Sequence, residues 1–181
     1  MSSLVRCSVI VRPAEARDVQ AIAAIYSHHV LHGLASFEIE PPPADEMASR
    51  RDAVLAGGYP YLLAERGGEV LGYAYASAYR TRPAYRHTAE NSVYIRHDCV
   101  GQGIGRALLG ELIDACEKRG LRQLIAVIGD RDNRASIALH RTAGFVEIGT
   151  YRSIGYKFGR WVDTVLMQRA LGAGDALPPE A

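Results

Sequence analysis

Three glycines at alternate positions, Gly101, Gly103 and Gly105, stand just before a segment with helical composition that begins near Arg106. Glycine leaves the backbone open to a ligand. The first turn of a helix also offers N–H groups without internal partners and the positive end of the macrodipole. Arg106 adds a full positive charge to that turn. The spacing predicts a site for a phosphate or diphosphate group; the alternative is a tight strand-to-helix turn that binds nothing.

Two other phosphate motifs do not fit this stretch. The dinucleotide fingerprint needs a glycine where Arg106 stands and an acidic residue about 20 positions later. The P-loop needs a Gly-Lys-Ser or Gly-Lys-Thr sequence, which the chain lacks. What remains is Gly-x-Gly-x-Gly between a strand and a helix, an arrangement that still suits a diphosphate.

The glycine stretch lies between segments with the patterns of strands and a helix. Ala89–Arg96 is predicted as the strand that leads into it, and the following helix ends at Arg119 and Gly120. Leu124–Ile128 is apolar at every position, as expected of a strand covered on both faces. Together these segments predict one right-handed βαβ crossover.

The rest of the chain supplies the other elements of an α/β domain. Residues 1–172 are predicted as a single domain and residues 173–181 as a flexible tail. A Gly-rich hairpin signal stands at Arg66–Glu69. Further strands are predicted at Cys7–Val11, Tyr61–Glu65, Val70–Ser77, Phe145–Tyr151 and Trp161–Met167, an extended segment at Ser36–Ile39, and helices at Asp18–Leu31, Glu46–Leu55 and Asn133–Thr142.

Composition limits the possible classes of protein. With 181 residues, 48% of them hydrophobic, the chain is expected to fold as one soluble globular domain. A formal net charge of +1 argues against nucleic acid or an anionic membrane as partner. No apolar run approaches the ~20 residues of a membrane span, and Arg6 and Arg12 interrupt the only candidate leader. Cys7, Cys99 and Cys116 form no C-x-x-C pair and indicate free thiols in a reducing cytoplasm.

Two histidines have the spacing of two metal ligands on one face of a helix. His28 and His32 lie one helical turn apart, but no Glu completes a His-Glu-x-x-His sequence and no third ligand is evident. We interpret them as the polar end of a helix, and no metal site is predicted.

Two motifs resemble a known family. Val93–Leu109 (Val-Tyr-Ile-Arg-His-Asp-Cys-Val-Gly-Gln-Gly-Ile-Gly-Arg-Ala-Leu-Leu) resembles the acetyl-CoA motif of the GNAT superfamily of N-acetyltransferases, and Asn133–Phe145 resembles its second signature. Gly155–Asp163 (Gly-Tyr-Lys-Phe-Gly-Arg-Trp-Val-Asp) is similar to the phosphinothricin and methionine sulfoximine acetyltransferase branch. The similarity covers Ile10 to Leu171. Shorter stretches that also resemble the branch are Arg12-Pro-Ala, Ser36-Phe-Glu, Gly72-Tyr-Ala and Ala126-Val-Ile-Gly.

The resemblance implies a GNAT fold, with a mixed central sheet of about seven strands, flanking helices and a βαβ acetyl-CoA-binding core. It implies acetyl transfer from acetyl-CoA to the amine of a small amino acid analogue, an activity of the herbicide-resistance type, in a cytoplasmic homodimer. The alternatives are another amine or a protein N-terminus as acceptor, or a non-catalytic acyl-CoA sensor. Glu90, Asn133 and His140 together favour an enzyme over a sensor, because a binder needs no base.

The resemblance also implies where acetyl-CoA binds. Backbone N–H groups from Gly101 to Ala107 would hold the diphosphate, and Tyr94–Arg96 would pair with the amide arm. Val100 departs from the Gln or Arg with which the superfamily usually starts this motif. The expected acetyl-CoA contacts are Tyr94, Ile95, Arg96, Gly101, Gln102, Gly103, Ile104, Gly105, Arg106, Ala107, Asn133 and Ser136.

Two residues are catalytic candidates under this resemblance. Glu90 is the candidate general base, acting through a water; the alternative is a solvated or ion-paired carboxylate at a strand end. His140 stands where many members of the superfamily have a tyrosine, and it could protonate the leaving thiolate or simply pack in the core. A backbone N–H of Val93–Ile95 would meet the oxyanion.

For the substrate, the carboxylate of an amino acid needs a positive partner. At least one of Arg80, Arg82 and Arg86 is expected to supply it, because arginine binds carboxylates with two parallel hydrogen bonds. Trp161 is expected in packing or in a subunit contact. The predicted substrate-lining residues are Arg80, Arg82, Tyr85, Val93, Phe37 and Lys157.

Overall fold

The computed structural model describes residues 8–179, and within them seven strands form one sheet in the order β1-β2-β3-β4-β5-β7-β6. Strands β4 and β5 run parallel, whereas the other neighbouring pairs are antiparallel. This arrangement confirms the predicted mixed sheet of seven strands. The strands are β1 (Ile10–Pro13), β2 (Tyr61–Arg66), β3 (Glu69–Ala78), β4 (Thr88–Ile95), β5 (Gln123–Gly129), β6 (Val146–Lys157) and β7 (Arg160–Ala170), and the helices are α1 (Val19–His32), α2 (Ala44–Ala56), α3 (Ile104–Lys118) and α4 (Arg134–Thr142).

Helices cover both faces of the sheet. Helix α3 buries Leu108, Leu112 and Cys116, which follow one another at helical spacing, against β2, β3 and β4. Helix α1 buries Ile22 and Val30 on the opposite face. A sheet covered in this way needs strands that are apolar on both sides, and β5 has that composition. Among residues 8–179, no helix combines the length and the apolarity needed to cross a membrane.

The central βαβ crossover has the predicted form, and its two strands separate partway along their length. Residues Thr88 to Asn91 of β4 pair with β5, the last pair being Asn91 with Ala126. Beyond this point β4 continues beside β3 as far as Ile95, whereas β5 continues beside β7 as far as Gly129. Within residues 8–179, the separation leaves one edge of Val93–Ile95 without a strand partner and opens a slot, called here the splay slot.

Several predicted boundaries are wrong in detail. Strand β6 extends to Lys157 instead of ending at Tyr151, because shifts in its pairing and a positive φ of 50° at Ser153 interrupt the alternation that marks a strand. The segment Ser36–Ile39, predicted as extended, lies in the connection between α1 and α2 and is not one of the seven strands described. Strand β1 lies at Ile10–Pro13, and the part of its predicted range before residue 8 falls outside the described residues.

Candidate active site

The splay slot is bounded by β4 on one side and by the start of α4 on the other. Val93 and Ile95 face this space from β4, whereas Asn133 and Ser136 face it from α4. With the glycine loop these residues line a cavity of about 390 Å³. The side chain of Tyr94 points away and packs in an aromatic cluster, with its ring 5.1 Å from that of Tyr26. Tyr94 therefore contributes backbone, and not its phenol, to the slot.

The glycine loop forms the end of the slot where α3 begins. Gly101 and Gly103 have φ angles of +77° and +81°, which glycine adopts without strain, and a Cβ atom at either position would meet nothing within 4 Å. Gly103 is the N-cap of α3 and no side chain caps it. The N–H groups of the first turn therefore face open space, as an anion site requires.

The helix limits how many N–H groups this loop can offer. Ala107 donates its N–H to the carbonyl of Gly103 at 3.1 Å, so the available donors end at Arg106. Arg106 is exposed in the first turn, whereas the side chain of Ile104 is buried and leaves only its backbone for a ligand. A Cβ at Gly105 would lie 3.2 Å from Leu139, so this glycine permits close packing of α3 on α4.

Charged side chains around the loop are partly engaged with one another. Arg96 donates to Asp98 at 2.7 Å and lies 3.5 Å from Glu69, so its charge is already balanced within the chain. Gln102 accepts a hydrogen bond of 2.9 Å from Arg66, the last residue of β2. Arg66 therefore brings a second positive charge close to the loop, beside Arg106.

Helix α4 begins with a cap that fixes the far wall of the slot. Asn133 is its N-cap, and the side-chain oxygen of Asn133 accepts from the N–H of Ser136 at 3.2 Å. Two turns after Asn133, His140 is buried, and its ring lies perpendicular to that of Phe145 at 5.0 Å.

Glu90 lies one residue before the point at which β4 and β5 separate, on the strand face opposite to Asn91. Burial raises the pKa of the Glu90 carboxyl above its ordinary value, and the positive charge of Arg80 acts against this rise. A carboxylate that is deprived of solvent and lacks an adjacent ion-pair partner is a stronger base than an exposed one. The location and the environment both suit a general base.

The arginines of the β3–β4 connection do not share one location. Arg80 is exposed, lies 5.1 Å from the centre of the Tyr79 ring and is close enough to Glu90 to affect its pKa. Arg86 lines a different cleft, at the C-terminal end of α3. Arg82 and Tyr85 are exposed on the short 3-10 turn between them, with the Tyr85 ring 5.6 Å from that of Tyr79. Arg80 is therefore the arginine of this connection whose charge acts on the Glu90 carboxyl.

Phe37 and Lys157 belong to one packed unit beside the slot. The buried ammonium of Lys157 donates to the carbonyls of Gly33 at 3.0 Å and Ser36 at 2.7 Å, which holds the connection that follows α1. Burial lowers the pKa of Lys157. The Phe37 ring covers Gly155, where a Cβ would lie within 3 Å of it. Lys157 therefore supports the loop that carries Phe37 and does not itself face open space.

Three residues near the slot were not predicted from the sequence. His29 on α1 donates from Nε2 to the carbonyl of Ile95 at 2.8 Å, Arg66 contacts the glycine loop, and Asn91 contacts His140. Only Asn91 left a signal in the sequence, since it is a polar residue between the core-facing positions Ala89 and Val93. His29 and Arg66 come from distant parts of the chain with no local pattern.

A family model and several known proteins match this chain, and all of them are acetyltransferases. The model of the acetyltransferase (GNAT) family matches residues 23–145. Phosphinothricin N-acetyltransferase of Alcaligenes faecalis is 56% identical over 177 residues, which cover 98% of this chain and 90% of that protein. The L-methionine sulfoximine/L-methionine sulfone acetyltransferase of Salmonella typhimurium is 38% identical over 161 residues, covering 89% of this chain and 94% of that protein.

A solved structure extends this similarity to three dimensions. The phosphinothricin acetyltransferase of Sinorhizobium meliloti, whose crystal structure is a complex with acetyl-CoA, superposes with a TM-score of 0.92 and 47% identity. The match covers 95% of this chain and 93% of that one. The fold of nearly the whole chain therefore has a counterpart in a protein whose crystal structure is a complex with acetyl-CoA.

Proposed function

The chain belongs to the acetyltransferase (GNAT) family, and on that premise we propose that it transfers the acetyl group of acetyl-CoA to the amine of a small amino acid analogue. The acceptors we propose are of the phosphinothricin, methionine sulfoximine or methionine sulfone type, as the names of the relatives indicate. The observation that carries this proposal is the separation of β4 from β5. It leaves a strand edge that runs from beside Glu90, a partly buried carboxylate on the other face of β4, toward the open anion site of the glycine loop.

The residues present fit acetyl-CoA. The first-turn N–H groups after Gly103, with Arg106 and Arg66 beside them, suit a diphosphate, and the space that a Cβ would fill at Gly101 or Gly103 is open. The edge of Val93–Ile95 that has no strand partner within residues 8–179 can accept an amide arm as an added strand, with the carbonyl of Ile95 already engaged by His29. When bound there, acetyl-CoA supplies an activated acetyl group as a thioester.

The chain's own groups would then promote the attack of the amine. An ammonium has no lone pair, so Glu90 removes a proton from it through a water molecule. A backbone N–H of Val93–Ile95 would donate to the oxyanion that develops on the acetyl carbonyl, a contribution of about 3 kcal/mol in comparable acyl transfers. The order of these groups along β4, base first and donor edge next, matches the direction in which the slot opens.

We expect Arg80 to bind the carboxylate of the substrate. Replacement with glutamine should raise the KM for methionine sulfoximine about 10- to 100-fold, because a hydrogen bond to a charged group contributes roughly 1.5 to 3 kcal/mol. Steady-state kinetics would measure this change. Arg86→Gln is the matched control, since Arg86 lies on the same connection but lines another cleft. A larger effect of Arg86→Gln would reverse the assignment.

A substrate analogue without the carboxylate distinguishes a loss of carboxylate binding from a general loss of enzyme activity. The amine analogue of methionine sulfoximine without its carboxylate should react equally slowly with the parent enzyme and with Arg80→Gln. If Arg80→Gln lowers kcat/KM for this analogue as strongly as for the amino acid, Arg80 does not recognise the carboxylate.

We also propose that the enzyme is a homodimer that associates through β6 and β7. Strand β6 forms one edge of the sheet and, with the turn to β7, exposes a group of large apolar side chains. Trp161 is 64% exposed and its ring contacts that of Tyr156 at 5.3 Å. Such a surface on an edge strand is typical of an interface. The exposed apolar residues are Val146, Ile148, Tyr151, Ile154, Tyr156, Phe158 and Trp161.

Sedimentation velocity tests this interface. The protein should sediment with about twice its chain mass of 19.7 kDa, and Trp161→Asp should shift it to the monomer, because a buried unpaired carboxylate opposes association. Leu177→Asp is the control, since Leu177 is equally exposed, at 63%, but lies outside β6 and β7. A dimer that survives Trp161→Asp would place the interface elsewhere.

The free thiols of Cys99 and Cys116 support our further proposal of a cytoplasmic location.

Release of free CoA thiol from acetyl-CoA tests the proposed reaction. The amines to compare are methionine sulfoximine, methionine sulfone, phosphinothricin, the standard amino acids, polyamines and short peptides with free N-termini. We expect rapid release with the first three. Preference for a peptide would assign a protein N-terminus as the acceptor, and acetyl-CoA binding without release for any amine would favour a sensor.

A further inference from the structure

Asn91 is an amide buried where an apolar residue would be expected. It lies on the core-facing side of β4 between Ala89 and Val93 and is only 5% exposed. Its Nδ2 contacts Nε2 of His140 at 2.9 Å, across 49 residues of sequence. Its Oδ1 is buried and has no hydrogen-bond partner within residues 8–179, which costs folding free energy. A residue that only filled space would not carry this cost.

The partners of His140 determine where its proton lies. Nδ1 of His140 contacts the carbonyl of Ser136 at 2.8 Å, and because a carbonyl only accepts, Nδ1 must carry the hydrogen. Burial favours the neutral ring, and lowers the pKa of His140, so Nε2 is left with a lone pair. Asn91 then donates to that lone pair from Nδ2. Both ring nitrogens are engaged, and neither holds a proton directed at the slot.

The position of this contact gives it a role in the geometry of the slot. Asn91 is the last residue of β4 that pairs with β5, directly before the strands separate. Ser136 and His140 lie on α4, whose first turn forms the opposite wall of the same slot. The chain of contacts from Asn91 through His140 to Ser136 therefore ties one wall to the other at the point where the slot opens.

We propose that Asn91 is a positioning residue for acetyl transfer: it holds His140 in a single neutral tautomer, and the pair fixes α4 against β4 at the end of the splay slot. This inference rests on the proposed function, since the residue is argued to position groups for acetyl transfer. His140 acts through this contact as a structural link and not as the acid that protonates the leaving thiolate. The ammonium loses one proton to Glu90, and the surplus proton on the nitrogen of the tetrahedral intermediate passes to the departing thiolate, so the reaction balances without a proton from His140.

Nitrogen-15 NMR of the ligand-free protein tests the tautomer without any assay of activity. We expect His140 to give the signals of a neutral ring protonated at Nδ1 near neutral pH. In Asn91→Asp the carboxylate can only accept, so His140 should become an imidazolium at the same pH. An imidazolium or a ring protonated at Nε2 in the unmodified protein would overturn the proposal.

Calorimetric binding of acetyl-CoA tests the link between the walls. Asn91→Leu keeps the branched shape but removes the donor, and we expect the Kd for acetyl-CoA to rise about tenfold, since the buried Nε2 loses its partner and α4 its anchor. Gln168→Leu is the control, because it removes a hydrogen bond of 2.8 Å between Gln168 and Gln123 on β5, outside the slot. An equal change in both variants, or none in Asn91→Leu, would overturn the proposal.

The pH dependence of turnover separates a positioning residue from a proton donor. If His140 only positions, the profile of kcat in Asn91→Leu should keep the shape of the parent profile, even though its height changes. Loss of a basic limb in that variant would identify His140 as the acid and contradict the inference. If the protein acetylates no amine, the NMR and the calorimetry still decide the proposal by themselves.

Discussion

Glu90→Gln is expected to lower kcat by about 10²- to 10⁴-fold, the range that general bases usually contribute, and to leave the Kd for acetyl-CoA unchanged. Glutamine has nearly the shape of glutamate but cannot accept a proton from the amine. Glu90 lies on the strand face opposite to Asn91, away from α4, so its replacement leaves the glycine loop and the α4 wall intact. Stopped-flow or steady-state kinetics would measure kcat, and calorimetry would measure the Kd.

The pH profile makes this prediction more specific. Because burial raises the pKa of Glu90, the acid limb of the kcat profile should lie above the ordinary range of a glutamate, and it should disappear in Glu90→Gln. Removing the charge of Arg80, which opposes this rise, should move the limb to still higher pH. Unchanged turnover across the pH range in Glu90→Gln would exclude Glu90 from the reaction.

Stability provides the control for misfolding. A carboxyl whose pKa is raised in the folded state favours folding when it is protonated, and this contribution is lost as the pH rises through that pKa. Ionised Glu90 therefore opposes folding at neutral pH. The free energy of unfolding of Glu90→Gln should equal or slightly exceed that of the parent protein, measured in urea. A marked decrease would mean that the loss of turnover has a structural cause.

Gly103→Leu is expected to weaken acetyl-CoA binding by at least about 100-fold. The φ of +81° at Gly103 directs any Cβ into the open space that the diphosphate would occupy, so two charge-assisted hydrogen bonds, roughly 1.5 to 3 kcal/mol each, would be blocked. Turnover at ordinary concentrations of acetyl-CoA should then be lost. Calorimetry with acetyl-CoA measures the effect directly.

The same helix offers a matched control for this variant. Gly120 follows the other end of α3, has a φ of +84°, and also has nothing within 4 Å of its position for a Cβ. Leucine at either site imposes a similar backbone strain of about 1 to 2 kcal/mol, but only Gly103 faces the slot. Tight binding of acetyl-CoA by Gly103→Leu, or equal weakening in Gly120→Leu, would rule out the glycine loop as the diphosphate site.

The centre of the fold could be predicted from sequence because its signals are local. The apolar run of β5, the helical spacing in α3 and the glycines between strand and helix each report on neighbouring residues. Strand β6 was predicted too short because most of its side chains are exposed and because Ser153 interrupts the pairing. An exposed strand with such interruptions lacks the alternation that reveals a half-buried one.

The candidate site likewise contains some residues with a local signal in the sequence and others without one. The glycine loop could be located from spacing alone, whereas the choice among Arg80, Arg82 and Arg86 needed the fold, since only the structure places Arg86 at another cleft. The role of Lys157 also depends on two carbonyls more than 120 residues away in sequence. Hydrogen bonds between distant segments leave no periodic pattern in the chain, so these residues could be named as candidates but not placed.

The most direct test of the central claim is to identify the product. Incubation with acetyl-CoA and methionine sulfoximine or phosphinothricin, followed by mass spectrometry and thiol titration, measures both products of the transfer in the same sample. We predict one N-acetylated amino acid for every CoA thiol released, with no reaction in Glu90→Gln on the same time scale. Thiol release without an N-acetylated product, or acetyl-CoA binding with neither, would contradict the account.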